Sequence, residues 1–252
     1  MRLATYNIRH GAPAGRLAAN RSMARSVAAL GADIVALQEV DRRVVRSWFA
    51  DQAALAGRSS GMVAHFAPAR PFGPGGAYGN ALLVRGRTER TRVVQLPGAV
   101  EARVALFASV VVRDVALTAV STHLQNRRAG AGHHTAPGQL AALLDELSGW
   151  PEPWCVMGDL NLRADDVCPV FAAAGLTAVR PGPTFPADVP RIGIDWIATR
   201  GLGTGHAEVP DLRTSDHRPI LATFPLPPGG LRPGGFPHSG DPAADPSADT
   251  DE

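Results

Sequence analysis

Several short apolar runs in this chain end in residues that strands ordinarily reject. Residues 3–6 run into Asn7, residues 34–37 into Gln38 and Glu39, and residues 115–122 into His123. Residues 154–158 run into Asp159, with Asn161 two positions on and on the same face of an extended segment. Asp195 sits inside the apolar run 192–198, and Ser215-Asp216-His217 comes just before the run 220–224. Asn, Asp and Glu are poor strand residues, so their recurrence at strand ends needs a reason. Taken singly, each is an ordinary cap, turn residue or satisfied buried acid. Together, hard oxygen donors and a histidine with a carboxylate partner are what Mg²⁺-assisted phosphoryl chemistry requires, and one or two carboxylates suffice to hold that ion.

The chain between these positions alternates strands and helices. Met23, Val27 and Leu30 fall at helical spacing before Gly31, and Leu140, Leu143, Leu144 and Leu147 do the same within 139–147. A further helix is expected at 166–174, and strands at 81–84 and 93–96. Residues 103–112 and 115–123 flank Arg113-Asp114 as a tight hairpin. Residues 58–77, with Gly73, Gly75 and Gly76, read as a long loop; no Walker pattern follows, so they are not taken as a phosphate cradle. Residues 124–137 read as a second loop carrying Arg127, Arg128, His133 and His134. Hairpins mixed with helical crossovers predict an α/β fold with two packed sheets and helices outside.

Composition narrows the class. The hydrophobic fraction of 45% over 252 residues is enough for one sizeable core. No apolar stretch of membrane-spanning length occurs. Two cysteines, Cys155 and Cys168, make neither a disulfide scaffold nor a zinc framework. Met1-Arg2 leads straight into a strand with no apolar leader, so a cytoplasmic location is expected. From residue 226 the chain turns rich in Pro, Gly and Asp and is expected to be a disordered tail (226–252) behind a single domain (1–225). Without that tail, which holds Arg232 and five acids, the net charge rises from +2 to +6. That modest excess suits an anionic substrate but forms no basic stripe.

The motifs Thr-Tyr-Asn7-Ile, Leu-Gln-Glu39-Val-Asp, Ser-Thr-His123-Leu, Gly-Asp159-Leu-Asn161, Ile-Asp195-Trp and Ser-Asp216-His217-Arg-Pro occur in this order over residues 2–224. In this the chain resembles the endonuclease/exonuclease/phosphatase superfamily, the deoxyribonuclease-I-like group. Tyr78-Gly-Asn80 and Glu101-Ala-Arg103 resemble segments of its bacterial metal-dependent hydrolase branch. The resemblance implies a four-layer α-β-β-α sandwich of two packed mixed sheets, with a site where strand ends meet. It implies Mg²⁺ (or Mn²⁺) at Glu39 with Asn7 beside it and Asp216 on the metal side. It further implies that Asp159 and Asn161 orient water and phosphate, that His123 contacts phosphoryl oxygens, and that Asp195 orients His217. Whether Asp159 or His217 is the general base stays open. Asn80 and Arg103 are expected on the substrate side; Ala136 stands where the branch has an arginine before Gln139.

The implied activity is in-line attack of water on phosphorus, most simply a phosphodiesterase acting on nucleic acid or a phospholipid headgroup. A phosphomonoesterase and a catalytically silent binding module are the alternatives, although a silent member should have lost Glu39, Asp159, Asp216 or His217. No stable protein partner is evident, and a monomer is expected. Trp48, Trp150, Trp154 and Trp196 are spaced like core residues, with no aromatic interleaving for base stacking. Residues 64–72, with Phe66 and Phe72, are the one stretch able to form an exposed apolar hairpin for a lipid surface.

Overall fold

In the computed structural model the described residues are 1–13, 16–98, 101–126, 135–179 and 181–226. The chain begins with β1 (Arg2–Asn7), α1 (Asn20–Ala29), β2 (Ile34–Arg42), α2 (Gln52–Ser60), β3 (Val63–Pro71) and β4 (Ala77–Val84). It continues through β5 (Arg87–Gln95), β6 (Val104–Val112), β7 (Val115–His123), α3 (Thr135–Ser148), β8 (Trp154–Asp159) and α4 (Ala164–Ala173). Four short strands close it: β9 (Thr177–Val179), β10 (Asp195–Arg200), β11 (His206–Glu208) and β12 (Ile220–Thr223).

The strands form two six-stranded mixed sheets, ordered β11-β12-β1-β2-β4-β3 and β5-β6-β7-β8-β10-β9. Parallel pairs β1/β2 and β7/β8 are the two helical crossovers, through α1 and α3; the remaining pairs are antiparallel. Three apolar clusters correspond to the three gaps of a four-layer sandwich. Leu3, Ile34, Ala36 and Leu82 of the first sheet meet Leu106, Val110, Leu117 and Met157 of the second. Met23, Val27, Leu30 and Ala56 pack on Tyr6, Val35 and Leu83 on one outer face. Leu140, Leu143, Leu147 and Phe171 pack on Phe107, Val156 and Trp196 on the other. Central strands are therefore buried on both faces, which explains why β6 and β7 read as continuous apolar runs instead of alternating ones.

The sequence reading needs correction in several places. Residues 58–77 are not one loop. They contain the edge strand β3 and a short turn, with Gly73 and Gly75 at positive φ. β3 is half-exposed and carries two prolines, which is the pattern of an edge and hides it from a search for apolar runs. α2 went unread, although Asp51 caps it by accepting from Ala54 N–H at 2.9 Å and Gly61 ends it in the left-handed region. Asp195 is the first residue of β10 and not its interior. Trp48 is no core residue: it is 65% exposed, whereas Trp150, Trp154 and Trp196 are buried. No exposed apolar hairpin forms at 64–72, because the Phe66 and Phe72 rings lie beneath the guanidinium groups of Arg42, Arg46 and Arg70. Leu226 packs against the inter-sheet core, so any tail starts after it. The rest of the tail, and Arg127, Arg128, His133 and His134, lie outside the described residues.

Candidate active site

Sheet register brings the polar strand ends together. His123 stands opposite Asp159 in the parallel β7/β8 pair, and Asp195 stands opposite Asp159 in the antiparallel β8/β10 pair. Three titratable side chains are thereby lined up across one end of the second sheet. Gly158 makes the close β7/β8 approach possible just before Asp159, since a Cβ there would overlap the Thr122 carbonyl oxygen. From the first sheet, β1 contributes Asn7 at its last position. β2 contributes Glu39 from a bulge between Leu37 and Val40, where Glu39 has φ +56°. Asn161 is likewise left-handed at φ +52°. Non-glycine residues in this region carry strain and cluster at functional sites.

Asn7 joins the two sheets. Its amide nitrogen donates to Glu39 Oε1 at 3.1 Å and to Asp159 Oδ2 at 3.0 Å, while its oxygen accepts from Arg9 N–H. Asp159 Oδ1 accepts the Asn161 N–H at 3.0 Å. The Asn161 amide donates to the Leu124 carbonyl and to His123 Nε2, both at 3.1 Å, which assigns the imidazole proton of His123 to Nδ1. Burial and the charges of Arg103 and His217 hold His123 well below its ordinary pKa, so it is neutral.

His217 is the opposite case. Its Nδ1 lies 2.8 Å from Asp195 Oδ2, and its Nε2 lies 3.7 Å from Asp159 Oδ2. Burial alone would lower its pKa, but the charges of Asp195 and Asp159 outweigh that and push it up to about 10. Burial, then the Asp195 charge, push Asp159 up to about 7. Thr184 Oγ1 donates to the same Asp195 oxygen at 2.5 Å, and the Phe185 ring lies 4.8 Å from the His217 ring. Both came from a proline-rich stretch with no periodic signal, so only the folded chain reveals them.

Glu39 is raised by burial and by the nearby Asp216 charge, against the Asn7 hydrogen bond. Asp216 is tied to Arg9 Nε at 3.3 Å. A cavity of about 820 Å³ is lined by Glu39, His123, Asp159, Asn161, Asp216 and His217, and also by Arg46, Arg70, Tyr78, Glu101 and Arg103. Asn80 does not line it. It is buried with its amide donating to the Val104 carbonyl, at the seam between the sheets. Arg103 lines the cavity and is no surface ion pair, being 5% exposed.

Among the described residues, two donor sets could hold a divalent cation. Glu39 and Asp216 are hard oxygen donors on the cavity wall whose mutual repulsion a cation would relieve, so these residues fit Mg²⁺ or Mn²⁺. Asp159, Asp195 and His217 have ligand atoms within 4.8 Å of one another, but the Asp195 oxygen that faces His217 already receives two hydrogen bonds. A cleft at the strand ends of a four-layer sandwich, with buried carboxylates and one charged and one neutral imidazole, belongs to the chemistry of anionic substrates.

The chain belongs to the Endonuclease/Exonuclease/phosphatase family, whose sequence profile matches residues 4–217. It is 36% identical over 118 residues to a UPF0294 protein of Vibrio cholerae, covering 44% of this chain and 40% of that protein. It is 33% identical over 170 residues to the uncharacterized protein YbhP of Escherichia coli K12, covering 61% of this chain and 65% of YbhP. The matched segment is thus less than two thirds of either relative. Among solved structures, the endonuclease/exonuclease/phosphatase of Beutenbergia cavernae superposes with a TM-score of 0.74 at 21% identity over 88% of this chain and 70% of that one. TDP2 of D. rerio complexed with single-strand DNA product gives 0.69 at 19% identity, over 90% and 99% of the two chains. The mannosyl-6-phosphatase Bt3783 of Bacteroides thetaiotaomicron gives 0.69 at 14% identity, over 90% and 100%. No described helix is long and apolar enough to cross a membrane.

Proposed function

We propose that this chain is a divalent-metal-dependent phosphoester hydrolase, with a phosphodiester as the preferred substrate. The observation that carries the reading is the junction of Asn7, Glu39, Asp159, Asp195 and His217 at one cavity, built from two sheets and reinforced by strained backbone at Glu39. Family membership and solved neighbours that include a phosphatase and a DNA-bound protein support it.

Glu39 and Asp216 would hold Mg²⁺ or Mn²⁺, with Asn7 fixing the Glu39 carboxylate; when bound, such an ion neutralises charge developing on phosphoester oxygens. Asp159, pushed up to about 7 and held by Asn7 and the Asn161 backbone, is set to accept a proton from an attacking water. His217, kept cationic by Asp195, presents an Nε2 proton to a phosphoryl oxygen and stabilises the pentacovalent transition state. This division makes Asp159 the base and His217 the electrostatic partner. His123 and Asn161 position the phosphoryl oxygens, and Arg103 faces the rest of the substrate.

The test is hydrolysis of bis(p-nitrophenyl) phosphate and p-nitrophenyl phosphate with Mg²⁺, with Mn²⁺ and with chelator. Metal-dependent turnover of the diester, abolished by chelation, is expected. Turnover of the monoester alone would select the phosphomonoesterase reading, and none with any ester would leave the silent binding module.

A further inference from the structure

The cavity carries a second charged cluster that hydrolysis of a simple phosphoester does not use. Glu101 places one carboxylate oxygen 2.7 Å from Arg103 Nη2 and the other 3.3 Å from Arg70 Nε. The Arg70 guanidinium also lies over the Phe72 and Tyr78 rings, at 4.9 and 5.3 Å. Arg46 covers the same two rings at 4.4 and 5.4 Å while paired with Asp41. The guanidinium planes are thereby held in place at the cavity wall.

The cluster is incompletely satisfied. The Arg103 side chain is 6% exposed, yet its Nε–H has no hydrogen-bond acceptor among the described residues. Arg70 Nε, although close to Glu101, also lacks an acceptor in hydrogen-bonding geometry. Buried guanidinium donors without acceptors are costly. Each Glu101 oxygen reaches one nitrogen of one guanidinium, and the Nε–H groups of both arginines stay unmatched. A phosphate monoester has three terminal oxygens and close to two negative charges, which is enough to take both arginines and their unmatched Nε–H groups. Glu101 itself sits in a bend before β6, with its side chain 29% exposed, so it has somewhere to go.

We propose that Arg70 and Arg103, with Arg46 at the rim, form a second phosphate subsite. The Glu101 carboxylate occupies it until a substrate bearing a phosphomonoester near its scissile ester displaces that carboxylate. The proposal rests on the hydrolase reading and names the substrate class of the same cavity: phosphoesters that carry a further, non-scissile phosphate. Glu101 acts as a filter. A tethered carboxylate is present at high effective concentration, so a neutral or singly charged group does not compete with it, whereas a dianion does.

Two substrate pairs test it with the metal-loaded protein. One is a dinucleotide with and without a 5′-phosphate; the other is a glycerophosphoinositol with and without a ring phosphate. In at least one pair, kcat/KM of the phosphorylated member should exceed that of its partner by about 10-fold, and the responding pair identifies the source of the phosphate. Glu101→Gln should raise that ratio by roughly 3- to 10-fold, because it removes the competing charge. Arg70→Gln, at a partly exposed position, should bring the ratio towards one. A purely structural Glu101–Arg103 pair would lower both members alike in Glu101→Gln and leave the ratio unmoved. Calorimetric titration with inorganic phosphate gives a readout independent of turnover. Tighter binding in Glu101→Gln and weaker binding in Arg70→Gln support the subsite even where no ester is cleaved, an outcome that rejects only the hydrolase reading. Ratios near one in both pairs, or equal phosphate affinity in wild type and both variants, overturn the subsite while diester hydrolysis stands.

Discussion

Asp195→Asn isolates the charge that keeps His217 protonated. The amide can point its oxygen where Oδ2 now lies, so the hydrogen bonds from Thr184 and His217 Nδ1 survive, the negative charge is lost, and the amide nitrogen takes the place of Oδ1, which has no hydrogen-bond partner among the described residues. The rise of His217 from 6.5 to about 10 corresponds to about 5 kcal/mol in favour of imidazolium, at about 1.36 kcal/mol per tenfold change in proton affinity. Asp195 and Asp159 supply it jointly against burial. Asp195 is the foremost of these attractions, so without it the imidazolium holds its proton less firmly, and turnover should fall by about 10²-fold, the loss of one charged donor to the transition state, most steeply on the alkaline side. The assay is diester hydrolysis at saturating Mg²⁺, beside a metal titration and an NMR pH titration of the His217 ring. Metal affinity should stay within about 3-fold of wild type, and the imidazolium should deprotonate at lower pH. The linkage sign is definite. Because the folded-state value lies above the unfolded one, the imidazolium contribution to stability is complete below about pH 6.5 and is lost as pH rises through about 10. In the metal-free variant that decline should flatten. A variant that keeps full turnover at saturating metal but loses metal affinity more than tenfold would refute the reasoning. It would place Asp195, with Asp159 and His217, among the ligands.

Four further outcomes are expected. Glu39→Gln keeps the side-chain shape but removes the charge, so turnover at the usual metal concentration should drop at least about 10²-fold; a wild-type rate there would show the cation sits elsewhere. Gly158→Ala forces a methyl against the Thr122 carbonyl, and should cost at least ~2 kcal/mol and lower Tm by roughly 4–8 °C; calorimetry showing an unchanged Tm would contradict the close β7/β8 approach. Cys155 is buried, with its thiol pushed up to about 12. Iodoacetamide should therefore label only the part-exposed Cys168 in native protein and both cysteines in denaturant, as read by mass spectrometry. Deleting residues 227–252 should leave Tm and diester turnover unchanged, since that segment holds few large apolar side chains; loss of solubility or activity would show that it docks on the domain.

The class of fold, and the polar strand ends that meet at the cavity, were legible in the chain itself, because both are local in origin. Apolar runs in β6, β7 and β8 and the leucine spacing of α3 need only their own residues to be recognised, and an Asn, Glu, His or Asp at the end of such a run is conspicuous for the same reason. Geometry was not legible, because it depends on which strands pair and in what register. The β8 register places Asp159 between His123 and Asp195, the β2 bulge turns Glu39 into the cavity, and Asn7 reaches across the gap between the sheets. Thr184, Phe185, Arg46 and Arg70 come from irregular or edge segments whose sequence carries no period, and they acquire meaning only from the charges they end up beside. So too the two histidines: both approach Asp159, at 3.5 and 3.7 Å, but they differ in charge because His217 also pairs with Asp195, while His123 accepts from the Asn161 amide and feels the charges of Arg103 and His217. Long-range electrostatics in a low-dielectric interior is a property of the assembled sheets and not of any segment.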